Sequence, residues 1–169
     1  IIDWGFNGWG GDTPFALDDD VPIVTAEQLN LPLIDLSAVV LEGGAIEIDG
    51  QGTLMATRSS ITGDDRNPGL TETEIEGYFA AYLGVEQVIW LDGQFGGSED
   101  ITDQHIDGFV KFAGGNTIVT MSNPDLAYWY VDAQDRNKIA QAENASGTPY
   151  IRVNLPLTQN PVQTTWGLD

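Results

Sequence analysis

Asp103, His105 and Asp107 stand at alternate positions of the stretch Asp100-Ile101-Thr102-Asp103-Gln104-His105-Ile106-Asp107, which contains the chain's single histidine. An imidazole next to carboxylates suits proton transfer beside a bound cation: the acid pairs with the positive group while the histidine gives and takes the proton. If the stretch is extended, side chains two apart share a face, so His105 and Asp107 point the same way, and Asp103 joins them if the strand continues backward. H-x-D on its own also fits a structural histidine or the start of a metal site. With no second histidine and no cysteine to complete a nitrogen or sulfur set, metal binding is disfavoured. The second candidate is Glu42, which follows the apolar run Val39 to Leu41 and so sits at the border of a core. An unpaired carboxylate is costly there, and a partner is required unless Glu42 is a turn residue facing water.

An internal repeat supplies the partner. Sliding Glu42 to Thr57 forward by 63 positions lays it on His105 to Thr120, and both segments read as two short strands joined at glycines. Glu42 and His105 therefore open equivalent hairpins, and equivalent strand starts converge on one end of a packed repeat.

The elements that position these residues follow the same order twice. Strands are expected near Ala45 to Ile48 and Thr53 to Thr57, then a helix opened by the capping box Thr71/Glu74 and stopped by Gly84, then a strand at Gln87 to Leu91. The second round predicts strands near Phe109 to Phe112 and Thr117 to Met121, a helix from about Ala133 to Ala145 capped by Asp132 and ended by Gly147, and a strand at Tyr150 to Asn154. Upstream, a strand over Ile1 to Phe6 enters the loop Asn7-Gly8-Trp9-Gly10-Gly11. Asp18 to Asp20 then precede a helix reaching Leu29, and a strand lies near Leu33 to Asp35. The reading is an α/β (α+β) chain of ββαβ units: residues 1–37 form the back half of one unit, and 38–100 and 101–169 are whole ones. Its end units should expose apolar faces and strand edges, which predicts self-association.

Composition excludes several partners. Twenty-six acidic residues against six basic ones give a net charge of −20, so no basic stripe exists to bind nucleic acid or an anionic membrane. The same field steers cations inward, although solubility alone accounts for it. The aromatic run Tyr128-Trp129-Tyr130 is accordingly assigned to core or subunit packing and not to stacking on bases. No apolar stretch approaches the roughly 20 residues of a membrane span, and IIDWGF is not a signal peptide, so the expected location is the cytoplasm. The abrupt opening and the ending Trp166-Gly167-Leu168-Asp169 read as a piece cut from a longer product.

Four motifs, Phe6-Asn7-Gly8-Trp9-Gly10-Gly11, Glu42-Gly43-Gly44-Ala45-Ile46, Asp64-Asp65-Arg66-Asn67-Pro68 and Thr102-Asp103-Gln104-His105-Ile106-Asp107, occur in an order and spacing that resembles the agmatine deiminase and bacterial-type peptidylarginine deiminase family. The resemblance covers essentially the whole chain but only the middle of a family member. It implies the pentein fold, a propeller of five ββαβ units around a substrate channel, of which this chain would hold about two and a half. It also implies a hydrolase that removes ammonia from a guanidinium group through a cysteine-bound thiouronium, with agmatine first and peptidyl arginine second as substrate, and no cofactor. Carried over by position, His105 is the general acid and base, Glu42 orients it and contacts substrate, and Asp107 holds the guanidinium. Asp103 and Asn7 support substrate binding. Two departures matter: Gln104 stands where glycine is usual, and both the upstream arginine-aspartate-glycine-proline segment and the cysteine are absent. Inactivity of the isolated chain is the expectation, and a non-catalytic half-propeller used for binding or assembly is the alternative reading.

Overall fold

The computed structural model describes residues 1–94 and 100–156; the predicted ending at Trp166 to Asp169 lies outside the described residues. Among them the chain forms three small sheets. The first is a parallel pair, β1 (Ile2–Gly5) with β2 (Ile34–Val40). The second is ordered β3 (Ile46–Ile48), β4 (Thr53–Thr57), β5 (Gln87–Leu91), and the third β6 (Val110–Ala113), β7 (Thr117–Met121), β8 (Ile151–Leu155). In both three-stranded sheets the first pair is an antiparallel hairpin and the second is parallel, as a helical crossover requires. The ββαβ order read from the sequence is thus present twice, preceded by a βαβ segment whose first strand leads into a single left-handed turn, α1 (Gly8–Gly11). That segment's last strand is longer than Leu33 to Asp35 and runs past residue 37.

The crossover helix α4 (Glu72–Leu83) forms as its capping residues dictate: Thr71 accepts from the Glu74 amide, Glu74 reaches back to the Thr71 amide, and Gly84 closes the helix in the left-handed region. Other helical expectations need correction. The Asp18–Asp20 run does precede a helix ending at Leu29, α3 (Val21–Leu29), but Asp18 and Asp19 themselves lie in an additional short helix, α2 (Ala16–Asp19), and Pro22 fixes the first turn of α3. A short helix α5 (Asn123–Tyr128), capped by Ser122, was not foreseen. The helix after Asp132, α6 (Ala133–Ala140), ends well before Gly147. Gln141 caps it, and further on the Asn144 side-chain oxygen accepts from the amides of Ser146 and Thr148, folding residues 144–148 into a tight turn.

The sequence offset is also refined. The 3₁₀ turns Gly43–Ala45 and Ile106–Gly108 repeat at the offset of Glu42 to His105, but Ile46↔Ala56 recurs as Val110↔Thr120, one residue later. Phe109 is the extra residue. It is buried, and its carbonyl accepts from the Thr120 hydroxyl at 2.7 Å.

Packing explains why consecutive units stay together. All of β4 is buried: Leu54 and Ala56 face Ile75, Phe79 and Trp90, while Met55 packs with Leu91 into the core of the third unit around Ile106, Ile118 and Leu126. On the corresponding face of the third sheet, Ile151, Val153 and Leu155 are exposed among the described residues. Leu17, Val21 and Leu29 are exposed at the other end. Of the core or subunit packing expected for Tyr128, Trp129 and Tyr130, packing in the core does not occur: all three are exposed, because α5 ends there and Tyr130 turns into the left-handed region. No helix among the described residues is long and apolar enough to cross a membrane.

A half-buried phenol ties the second unit to the third. The Tyr150 hydroxyl donates to Asp49 Oδ2 at 2.7 Å, and burial, reinforced by the Asp49 charge, pushes Tyr150 from 10.0 up to about 12. A raised phenol contributes its stability fully below the unfolded value and loses it as pH climbs through the folded one. The urea midpoint is therefore expected to fall between pH 10.0 and about 12, and Tyr150→Phe should flatten that limb. Equal alkaline limbs in both proteins would refute the assignment.

Candidate active site

Glu42 and His105 are each the residue immediately before a 3₁₀ turn, and the two turns pack against one another. Their side chains meet: His105 Nε2 lies 2.5 Å from Glu42 Oε2, with Glu42 3% and His105 11% exposed. The pairing inferred from the repeat is thus present, but the strand argument for His105 and Asp107 is not. His105 precedes a turn with three residues per rotation, and the segment before it is not extended either, because Asp103 and Gln104 have φ of 54° and 67°. His105 and Asp107 share a side because Gly44 leaves room for both. A β-carbon on Gly44 would stand 2.5 Å from His105 Nδ1 and 3.0 Å from each Asp107 carboxylate oxygen.

Gln104 forms a left-handed pair with Asp103. Glycine tolerates φ above zero without strain, and Gln104 does so against a steric penalty. Neighbours hold the strained backbone: Ser59 Oγ donates to the Asp103 carbonyl at 2.6 Å, Thr57 Oγ1 to the Gln104 carbonyl at 2.8 Å, and Gln104 Nε2 to the Trp129 carbonyl at 3.2 Å.

Glu42, His105 and Asp107 form the polar part of a cavity of about 680 Å³ whose walls include Trp4, Phe6 and Trp9. Trp4 and Phe6 share one face of the strand direction of β1, and Trp9 packs edge-on to Phe6 at 5.1 Å. Trp9 comes from a run of four left-handed residues, Gly8 to Gly11. Glycine is needed at position 10 because a β-carbon there would meet Arg66 Nη1 at 2.6 Å. Aromatic walls over two carboxylates suit a planar cation on an apolar stem.

Two predicted binding residues do not line this cavity. Asp103 turns to Arg66, with Oδ2 3.1 Å from Nη1; burial pushes its carboxyl up, Arg66 opposes the rise, and the nearby Asp65 adds to it. Asn7 is used within the scaffold: it donates to the Asp65 carbonyl at 2.7 Å and accepts from the Gly10 amide at 2.9 Å. Arg66 itself was missed as a site residue. Its side chain is fully buried and its Nε donates to Glu42 Oε1 at 2.8 Å, so that each oxygen of Glu42 has one partner. The signal was present: a scarce basic residue follows Asp64 and Asp65 inside a motif already noted.

The profile of the Porphyromonas-type peptidyl-arginine deiminase family matches residues 1–166. The chain belongs to this family. Within it, an agmatine deiminase of Pseudomonas syringae pv. tomato is 36% identical over 92% of this chain and 44% of its own length. Another, of Pseudomonas fluorescens, is 35% identical over 80% of this chain and 36% of its own. The fold of this deiminase-family chain superposes on the agmatine deiminase of Enterococcus faecalis with a TM-score of 0.83 at 28% identity, covering 99% of this chain and 48% of that one. The mixed α/β architecture is therefore that of the agmatine deiminases. The chain spans about half the length of the relatives it matches.

Proposed function

We propose that this chain supplies the acid–base and guanidinium-binding side of a guanidine hydrolase acting on agmatine, with the thiol nucleophile coming from polypeptide beyond these 169 residues. The observation that carries the reading is the Glu42–His105 pair beside Asp107 in an aromatic-walled cavity. Asp107 would hold the guanidinium nitrogens in one plane by charge-assisted hydrogen bonds, and Trp4, Phe6 and Trp9 would cover the alkyl stem. A thiolate sulfur then forms a bond to the guanidinium carbon as ammonia leaves with a proton from the His105 imidazolium. The resulting thiouronium is hydrolysed when water, deprotonated by His105, adds to the carbon; the thiolate departs and the remaining hydroxyl proton passes to solvent, leaving the ureido product. Glu42 keeps the imidazole aimed through both steps. Asp103 and Asn7 act through Arg66 and the Asp65 turn without touching substrate. The likeness to agmatine deiminases favours the small amine over peptidyl arginine.

Calorimetric titration with agmatine, followed by assay for N-carbamoylputrescine and ammonia, tests both halves of this reading. The expected outcome is binding without turnover, with Asp107→Asn weakening binding at least about tenfold, or about 1.4 kcal/mol. Product above background would overturn the missing-nucleophile argument. Absence of binding would overturn the site and leave the non-catalytic reading, which the lack of cysteine favours.

A further inference from the structure

We infer that Arg66 is the positioning residue of this site, fixing His105 simultaneously from its side-chain partner and from its own main chain; the inference rests on the acid–base role proposed for His105. One planar guanidinium reaches two separate segments. Through Nε it holds Glu42 Oε1 at 2.8 Å, which leaves only Oε2 to face the imidazole. Through Nη2 it donates to the Ile101 carbonyl at 3.2 Å, and through Nη1 it meets Asp103 Oδ2 at 3.1 Å. Those two contacts grip the turn whose left-handed residues, Asp103 and Gln104, deliver His105. The third carboxylate on the group, Asp65 at 2.7 Å, belongs to the turn that Asn7 anchors to the Trp9 loop. The cavity's aromatic wall, its carboxylate and its histidine thus share one buried cation.

The rigidity of the fork makes this a task for arginine. Five donors in one plane satisfy three directions at once, whereas a lysine ammonium at the end of a flexible stem reaches one or two. The side chain is 0% exposed, so water cannot replace a lost arm. Glu42, released from Arg66, would be free to rotate, and the His105 pair would lose its fixed geometry while the two apolar cores, built from other residues, stay packed.

His105 is the only histidine, so its imidazole NMR signals identify themselves. In the unsubstituted chain without substrate, the Nε2 proton shared with Glu42 is expected as a slowly exchanging, far-downfield resonance, and Glu42→Gln supplies the reference in which it is gone. Arg66→Lys should lose that resonance too, with the methyl signals of Ile118 and Leu126 in place to show an intact third-unit core. A retained downfield resonance in Arg66→Lys would overturn the inference. Should that variant not fold, Asp103→Asn decides, because it loosens only the arm to the turn: broadening of the His105 signal is expected, and an unchanged signal refutes the positioning role. These readouts need no ligand, so a failure to bind agmatine leaves them interpretable.

Discussion

Replacing Gly44 with alanine is expected to abolish measurable agmatine binding and to break the Glu42–His105 pair, although the new group is a single methyl. The added carbon would lie 2.5 Å from His105 Nδ1, far inside van der Waals contact. Its three nearest neighbours are all functional atoms, the imidazole nitrogen and both oxygens of Asp107. Asp107 is exposed and can swing outward, but doing so removes it from the place proposed for the guanidinium. His105 cannot yield as easily, because its opposite nitrogen is held by a Glu42 that Arg66 holds in turn. Overpacking of this kind costs about 1–3 kcal/mol of stability, and the larger effect falls on binding, since both available relaxations dismantle the site. Gly44 itself has an ordinary φ, so the loss would report crowding and not backbone strain. Calorimetry with agmatine and urea unfolding measure the two effects separately; a Gly44→Ala chain that binds as the parent does would show that His105 and Asp107 are not jointly required.

Much of this site was legible because the repeat is carried by residue types that survive folding unchanged. Glu42 and His105 precede equivalent turns, so a sequence offset became a 2.5 Å contact. The strand boundaries at Thr53–Thr57 and Gln87–Leu91 and the Thr71 capping box were legible for a related reason, since each is decided by local pattern and local hydrogen bonds. Features set by tertiary contact were not. Alternation wrongly placed His105 and Asp107 on a strand, because nothing local in D-Q-H-I-D reveals that Ser59, Thr57 and Arg66 will pin the preceding residues in the left-handed region. The helix α5 did carry a local signal, Ser122 followed by Pro124 and Asp125, that went unread beside the aromatic run. Phe109 illustrates the remaining class: one inserted residue in a repeat is invisible to a fixed offset, and only strand pairing locates it.

Asn67→Ala should be the most destabilising small change near the site, lowering stability by about 2–4 kcal/mol, because it removes the side-chain partner of three main-chain groups at once, the buried Ile61 carbonyl and the half-buried amide and carbonyl of Val40. The Asn67 side chain accepts from the Val40 amide at 2.9 Å and donates to the Val40 carbonyl at 2.8 Å, imitating a neighbouring strand at the end of β2. Its second amide hydrogen goes to the Ile61 carbonyl at 2.8 Å. Asn67 is 4% exposed, so water does not fill the vacated positions without opening the structure. Two residues beyond Val40 stands Glu42, and one residue before Asn67 stands Arg66, so the amide locks the two segments whose side chains form the buried ion pair. Asn67→Asp is a stricter test: it keeps the size and the acceptor but replaces the amide nitrogen, with both its hydrogens, by one oxygen facing two carbonyls, and should be at least as damaging as alanine. Equilibrium urea unfolding of the three chains, with the His105 resonance recorded in each, measures the stability and the coupling to the site together. An aspartate variant as stable as the parent would mean that the amide hydrogens carry no weight, and that Glu42 is placed by Arg66 without support from the strand end beneath it.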